Sequence, residues 1–408
     1  MTNWKEYKVE EFAEVIGGGT PSTKNSDYFG GSIPWLTPRD LTNYEKRYIT
    51  NGERNITNEG LRNSSAKLIP KHSILLTSRA PIGYLAIASN EVTTNQGFKS
   101  LVVNPDIANY KFVFYLVKAN IERIKSFGTG TTFAEISASV VKNLKFNLPD
   151  LPTQTAIAEI LSSLDDKIEL NNKINQELET LAQTLFKQWF IDFEFPNENG
   201  EPYKSSGGEM IDSELGEIPK GWEVKKFNEF VNCFDNKRIP LSSMQRALRK
   251  GSFPYYGAAS LMDYVDDFLF DGVYVLMGED GSVTDNEGYP VLQYVFGRFW
   301  VNNHAHVIQG TSISTELVLC LLKCTNISHL VTGAVQPKLN QGNMNKISLA
   351  IPKNTDILIE LETCIKSLYD SVRNNILENK EIIQLRDTLL PKLISGELEV
   401  SELIAQNA

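Results

Sequence analysis

The stretch Leu164-Asp165-Asp166-Lys167-Ile168-Glu169-Leu170-Asn171-Asn172-Lys173-Ile174-Asn175 sets Leu164 and Ile168 on one stripe, which continues through Leu178 and Leu185. Apolar positions that recur by threes and fours read as a helix with one buried face. The stripe returns 204 positions later as Leu368, Val372, Ile382 and Leu389. Its polar interruptions return too, Asn171 and Asn175 becoming Asn375 and Asn379. Polar residues in an apolar seam cost stability and fix register, so matched interruptions predict two helices built to pair. With the asparagines near the middle of each helix, antiparallel pairing brings Asn171 opposite Asn379. The expected fold is mixed α/β (α+β): two pseudo-twofold-related globular domains joined by two long helices that pair as an antiparallel coiled coil.

Working outward, Pro152 suits a helix entrance because its missing N–H would have no partner there. A helix of about 38 residues from that point is about 55 Å long at 1.5 Å per residue, which makes it a spacer. The chain then divides into a first globular domain, 1–150, a central helix, 151–192, a linker, 193–220, a second globular domain, 221–352, a C-terminal helix, 353–396, and a tail, 397–408. In the first domain the runs Ser73 to Ser78, Tyr84 to Ser89 and Lys99 to Asn104 read as strands and Tyr110 to Phe127 as helix. The linker is rich in Asn, Gly, Ser and acidic residues, the composition of exposed chain.

The globular domains repeat as well, at a drifting shift. Trp222 to Phe230 echoes Trp4 to Phe12, Asn303-His304 echoes Asn95-Gln96, and Gly333 echoes Gly130. A constant frame with sliding loops is expected where loops carry specificity.

A chain of 408 residues exceeds one ordinary core. No apolar run reaches the roughly 18 residues of a membrane span and no signal-peptide pattern is present, so a cytoplasmic protein is expected. Cys233, Cys320, Cys324 and Cys364 read as reduced or buried thiols, with Cys320 and Cys324 on one helix. The net charge of −10 is uneven, +4 over 1–150 and −9 over 151–220. Acidity concentrated in helix and linker leaves the globular domains free to carry local basic faces for phosphate.

In this order the pieces resemble the specificity subunit of type I restriction-modification systems over essentially the whole chain. The residues that carry the likeness are Leu164 to Ile174, Leu185-Phe186-Lys187-Gln188-Trp189-Phe190-Ile191-Asp192-Phe193, Gly216 to Trp222, Gly17-Gly18-Gly19-Thr20-Pro21-Ser22 and Gln336-Pro337-Lys338-Leu339-Asn340. The resemblance implies two target-recognition domains, each reading one half of a bipartite site in double-stranded DNA. It implies helices that act as a ruler and dock two methyltransferase subunits, with restriction and motor subunits in the full complex. S-adenosylmethionine, ATP and Mg are then expected on partner subunits, and no cofactor or metal on this chain. Independently of the family, two readers on a rigid spacer contact DNA at a fixed separation, and diverged readers call for an asymmetric site.

Base reading needs Arg or Lys for guanine, Asn or Gln for adenine, and hydroxyls or His as adaptable partners. The candidates in turn-rich segments of the first domain are Thr20, Ser22, Lys24, Thr37, Arg39, Arg79, Gln96 and Lys99. In the second they are Lys237, Arg238, Tyr255, Tyr256, Arg298, Asn303, His304, Gln336 and Lys338. Each is individually closer to a phosphate contact or ordinary surface residue than to a base reader, and Tyr255-Tyr256 also fits a core.

Other chemistries fit less well. Asp150 with Asp165 and Lys167 has the letters of a metal-dependent nuclease, but Asp165 and Lys167 lie about 200° apart around a helix. His304 and His306 with Cys320 and Cys324 can be drawn as a zinc site, although structural zinc sites use tighter paired spacing. Gly17-Gly18-Gly19-Thr20 lacks the Lys-Ser/Thr ending of a phosphate loop and reads as a flexible loop near DNA or a plain turn. No catalytic residue is assigned. The alternatives are a fused restriction enzyme or methyltransferase with an unrecognised active site, and a coiled-coil connector with no DNA role.

Overall fold

The computed structural model describes residues 4–129, 134–333 and 335–400, so Gly130 and the end of the tail lie outside the described residues. Two compact units form, one from 1–170 and 378–408 and the other from 171–377. Each therefore takes half of each long helix as well as a globular part. The helices are Leu151–Phe186, which ends in a π turn Lys187–Ile191, and Thr355–Ser395.

In the first unit, the chain enters on Lys5–Lys8 and leaves on Lys145–Leu148, and these two strands pair antiparallel. Between them a five-stranded sheet runs in the order Ala13–Gly17, Lys99–Val103, Ile74–Ser78, Ile82–Ala88, Tyr48–Ile49. Neighbours are antiparallel except the last pair, which is parallel. Arg54–Ile56, Phe29–Leu36 and Thr93–Thr94 form a second, smaller sheet. The expected helix over 110–127 is two, Tyr110–Ala119 and Ile121–Lys125, broken at Asn120. Phe112 through Val117 are all buried, the mark of a helix with core on every side.

The second unit repeats this plan. Trp222–Lys226 and Ser348–Pro352 pair as its entry and exit strands. Its six-stranded sheet runs Val231–Cys233, Ala305–Gly310, Phe270–Gly278, Leu292–Val301, Lys250–Tyr256, Leu261–Val265. The first five strands match the first unit's sheet in order, down to the parallel fourth and fifth neighbours. Thr315–Cys324 takes the place of the buried helix, with Thr315 through Leu322 buried, and it carries both Cys320 and Cys324.

The helix halves pack inside each unit. In the first, Ile157, Ala158 and Leu161 share a core with Leu390, Leu393 and Ile394. In the second, Ala182 and Phe186 share one with Leu361, Ile365, Tyr369 and Val372. Early residues of one helix meet late residues of the other in both units, so the pairing is antiparallel. Each fully buried aliphatic or aromatic side chain contributes about 1.5–3 kcal/mol.

The segment expected to be an exposed linker is ordered. Phe195 is 3% exposed and stacks on both Tyr203 and Trp222, with Phe190 and Phe193 against the same indole. Met210–Ser213 and Gly216–Pro219 then form a hairpin. Turn-forming residues set the chain's path, but the aromatic residues between them hold it down.

Candidate nucleic-acid interface

Strand ends in the first unit converge on Ser78. Its backbone N–H donates to the Gly97 carbonyl at 2.7 Å, and its own carbonyl accepts from the Ile136 N–H at 3.0 Å. Three loops far apart in sequence are thereby tied at one point, and the Gly17–Ser22 loop joins them. The Gly19 N–H donates to the Thr94 carbonyl at 2.8 Å, and the Thr20 hydroxyl donates to the Gln96 side-chain oxygen at 2.5 Å. Of the two readings the sequence allows, a flexible loop or a plain turn, the structure shows a turn packed closely against its neighbours. A Cβ on Gly18 would lie 2.0 Å from the Asn95 carbonyl oxygen, and one on Gly19 would lie 2.3 Å from the Ala66 nitrogen. Only glycine permits such backbone approach.

The second unit makes the same knot from different residues. The Glu279 N–H donates to the His304 carbonyl at 2.9 Å, and the Glu279 carbonyl accepts from Leu339 N–H at 2.8 Å. Ser78, Gly97 and Ile136 thus correspond to Glu279, His304 and Leu339. At the surface His304 Nδ1 lies 2.5 Å from Asp280, and Lys338 reaches Glu279 at 3.5 Å. Where Arg79 meets Glu135 at 3.3 Å in the first unit, the corresponding Asp280 and Lys338 carry the opposite charges. The frame is shared and the groups it displays differ.

The structure places the other candidates as follows. Ser22, Lys24, Arg39 and Gln96 are exposed in the first unit, and Lys237, Arg298, Asn303, His304, Gln336 and Lys338 in the second. Thr37 caps the turn Pro38–Leu41, its hydroxyl donating to Asp40 at 2.7 Å. Arg298 lies on a strand, paired with Asp271 at 3.1 Å and resting on the Phe268 ring. Lys99 is not at the surface: it is 9% exposed, with its ammonium 3.2 Å from the Ser78 hydroxyl and 3.4 Å from Glu135. Tyr255 is core at 1% exposure, its hydroxyl accepting from Leu241 N–H, while Tyr256 is half-buried against Phe299. Adjacent strand residues face opposite ways, so both tyrosines cannot share one environment. Arg238 is held by Glu279 at 2.6 Å and by the Ala305 carbonyl at 2.7 Å.

Among the register asparagines, Asn375 donates to Asn175 at 2.8 Å, and the Asn379 carboxamide lies 3.5 Å from the Ile168 carbonyl. Asn171 is 1% exposed. Sequence reading missed the residue that anchors the first globular part to the helices. Arg47, 5% exposed, pairs with Glu169 at 3.0 Å and with Asp166, while Tyr115 donates to Asp165 at 2.6 Å and Arg386 meets the same carboxylate at 2.6 Å. Asp165 is thus a structural ion-pair partner, and Asp150 caps the helix start through Thr153 N–H at 3.0 Å. The residues drawn as a nuclease have separate duties.

The sequence-drawn zinc cluster does not assemble either. The His/Cys/Asp group that comes together among the described residues is Cys233, Asp235 and His306. Both His306 ring nitrogens are already engaged, by Asp235 at 2.6 Å and the Leu339 carbonyl at 2.8 Å. The Arg238 guanidinium stands 3.5 Å from the same Asp235 carboxylate, which disfavours a second cation. Burial first, with Asp235 second, pushes the Cys233 thiol up to about 12, and burial does the same for Cys320. Thiols held protonated are poor ligands and poor nucleophiles. No described helix is long and apolar enough to cross a membrane.

The chain is similar to known proteins along nearly its whole length. The family model for the type I restriction modification DNA specificity domain matches residues 1–180 and 219–385, one stretch for each globular part. The chain is 35% identical to the type I restriction enzyme MjaIX specificity subunit of Methanocaldococcus jannaschii, over 98% of this chain and 95% of that one. It is 23% identical to the HindI specificity subunit of Haemophilus influenzae, over 98% of this chain and 100% of that one. A crystal structure of the type I restriction-modification S subunit from M. genitalium shares the fold, with a TM-score of 0.58, 18% identity and 96% coverage of both chains.

Proposed function

Since this chain belongs to the family of type I restriction-modification DNA specificity subunits, we propose that its two loop clusters read the two halves of a bipartite, asymmetric site in double-stranded DNA. The observation that carries the reading is the shared backbone knot at Ser78 and Glu279 under unlike side chains. Exposed Ser22, Lys24, Arg39 and Gln96 supply the first reader, and Asn303, His304, Gln336 and Lys338 the second. Their mixture of donors and acceptors suits base edges, with Lys24 and Arg39 placed to meet phosphate and Lys338 shared with Glu279.

The long helices dock two methyltransferase subunits, which bring S-adenosylmethionine, and through them the restriction and motor subunits with ATP and Mg. Exposed Leu170 and Leu181 on the central helix and Leu377 and Leu385 on the C-terminal helix supply apolar contact for such partners. The chain itself acts as a non-catalytic, cytoplasmic reader. The test is binding of duplex DNA by the assembled methyltransferase complex across a salt series. Affinity that falls steeply with salt and requires one split motif supports the reading. Salt-insensitive or absent binding leaves a coiled-coil connector, and methyl transfer or cleavage by this chain alone supports the enzyme alternative.

A further inference from the structure

The two globular parts stand on the long helices through different chemistry at equivalent places. The 204-residue shift of the helices matches Glu169 with Arg373, Asp165 with Tyr369 and Ala182 with Arg386, while Asp166 matches Asp370 and keeps its charge. The sheets correspond too. Ile74 and Val275 each lie four residues before their knot, and their strand partners are Ile87 and Tyr294. The buried helices Tyr110–Ala119 and Thr315–Cys324 are both ten residues long, which matches Lys111 with Glu316 and Tyr115 with Cys320.

In the first seat the globular part brings the cation. Arg47, whose carbonyl accepts from the Ile87 N–H at 2.7 Å, pairs with Glu169 at 3.0 Å and with Asp166. In the second seat the polarity is reversed. The helix brings Arg373, which meets Glu316 at 2.6 Å and the Tyr294 hydroxyl, with Asp370 beside it on the same helix. A second position differs in shape. Asp165, 4% exposed, accepts from the Tyr115 hydroxyl at 2.6 Å and from the Arg386 guanidinium at 2.6 Å. The corresponding Tyr369, 1% exposed, instead shares an apolar core with Ala182 and Cys320.

Exchanging the globular parts would set Glu316 against Glu169 and Arg47 against Arg373. It would also leave Cys320 where Asp165 needs a hydroxyl, and drive the Tyr115 phenol into Tyr369. Like charges and overfilled cores both oppose association. We propose that the two seats are keyed: the first accepts a reader domain that presents a cation and a phenol hydroxyl, the second one that presents a carboxylate and a small side chain, so that neither domain can serve in the other's place. The keys Arg47, Tyr115, Glu316 and Cys320 lie apart from the loop clusters, so a domain can change what it reads without changing where it stands. Seating is independent of the DNA reading, which supplies only its consequence: under that reading the seats fix the order of the two half-sites.

The test is a full-length chain in which residues 5–148 are replaced by a second copy of 223–351, whose ends are likewise strand partners. Hydrogen exchange reports the protection of the grafted copy of Thr315–Cys324. On unaltered helices it exchanges roughly tenfold faster than the same segment in its natural place. Asp165→Tyr, Glu169→Arg and Arg386→Ala, which copy the second seat, recover most of that protection. A graft protected equally on both sets of helices, or on neither, overturns the proposal. The natural chain supplies a test that needs no graft. Arg373→Glu speeds exchange at 314–324 roughly tenfold, and Glu316→Arg added to it restores protection, because the pair then has the polarity of Arg47 with Glu169 and Asp166. A double variant no better protected than Arg373→Glu alone overturns the keying by charge. In the methyltransferase complex, the graft on edited helices should direct methylation to a split palindrome, since both readers are then the same. A seated graft with no enriched motif overturns the DNA reading and leaves the keyed seats standing.

Discussion

Asn375 donates a hydrogen bond to Asn175 at 2.8 Å, and both side chains lie within the second unit where the two long helices pack together. Apolar residues flank this pair, including partly buried Leu178, Leu368 and Ile376 beside the main core. A lone carboxamide in such a seam is costly, whereas two that satisfy each other fix one alignment. Asn375→Leu therefore lowers stability by about 1–3 kcal/mol by stranding Asn175, and Asn175→Leu with Asn375→Leu regains it. A double-mutant cycle in urea checks this, and single variants as stable as the parent would remove the asparagines' register role.

Arg47 carries the corresponding burden in the first unit. It is buried, but the Asp166 and Glu169 side chains are 67% and 32% exposed. Arg47→Met therefore leaves no buried charge unpaired and lowers the stability of the first unit by about 1–3 kcal/mol through lost charge-assisted hydrogen bonds. Thermal unfolding read through limited proteolysis of each unit distinguishes this from a global loss.

The acid response follows from Asp165. Burial would raise its carboxyl, but Lys118, Tyr115 and Arg386 outweigh burial and hold it below the ordinary range. A depressed carboxyl contributes stability above its unfolded value and loses it as pH falls through the folded value. The first unit should lose stability on acidification below the normal aspartate range, and Asp165→Asn should flatten that slope while lowering stability at neutral pH. A slope unchanged by the substitution would assign the acid response elsewhere.

Gly18→Ala places a Cβ 2.0 Å from the Asn95 carbonyl oxygen. Strain of this kind costs about 1–3 kcal/mol, and here it displaces the segment that presents Gln96. The expected result is a modest drop in melting temperature with lost discrimination at one half-site. Unchanged discrimination would detach the glycine loop from reading.

Much of the architecture was legible because periodicity is local. The long helices, the strands at 74, 82 and 99, and the paired asparagines all follow from spacing along the chain. The knots were not legible, since they join residues from three separated segments through backbone atoms that carry no sequence signature. Lys99 misled because Ser100 and Leu101 beside it are also buried, so both sheet faces are covered and alternation gives no warning. Phe195 and Tyr203 were hidden among turn residues, and composition outweighed two aromatics that a linker has no use for. Arg47 follows exposed Glu45 and Lys46 and resembled them.

The central claim is that one chain holds two independent readers, and mapping adenine methylation tests it most directly. Genomic DNA lacking prior modification is treated with the assembled methyltransferase complex carrying either the unaltered chain or Gln96→Ala. The unaltered complex should methylate one split, asymmetric motif, and Gln96→Ala should blur one half while the other stays sharp. Equal blurring of both halves, or an unsplit palindromic motif from the unaltered complex, would contradict the account.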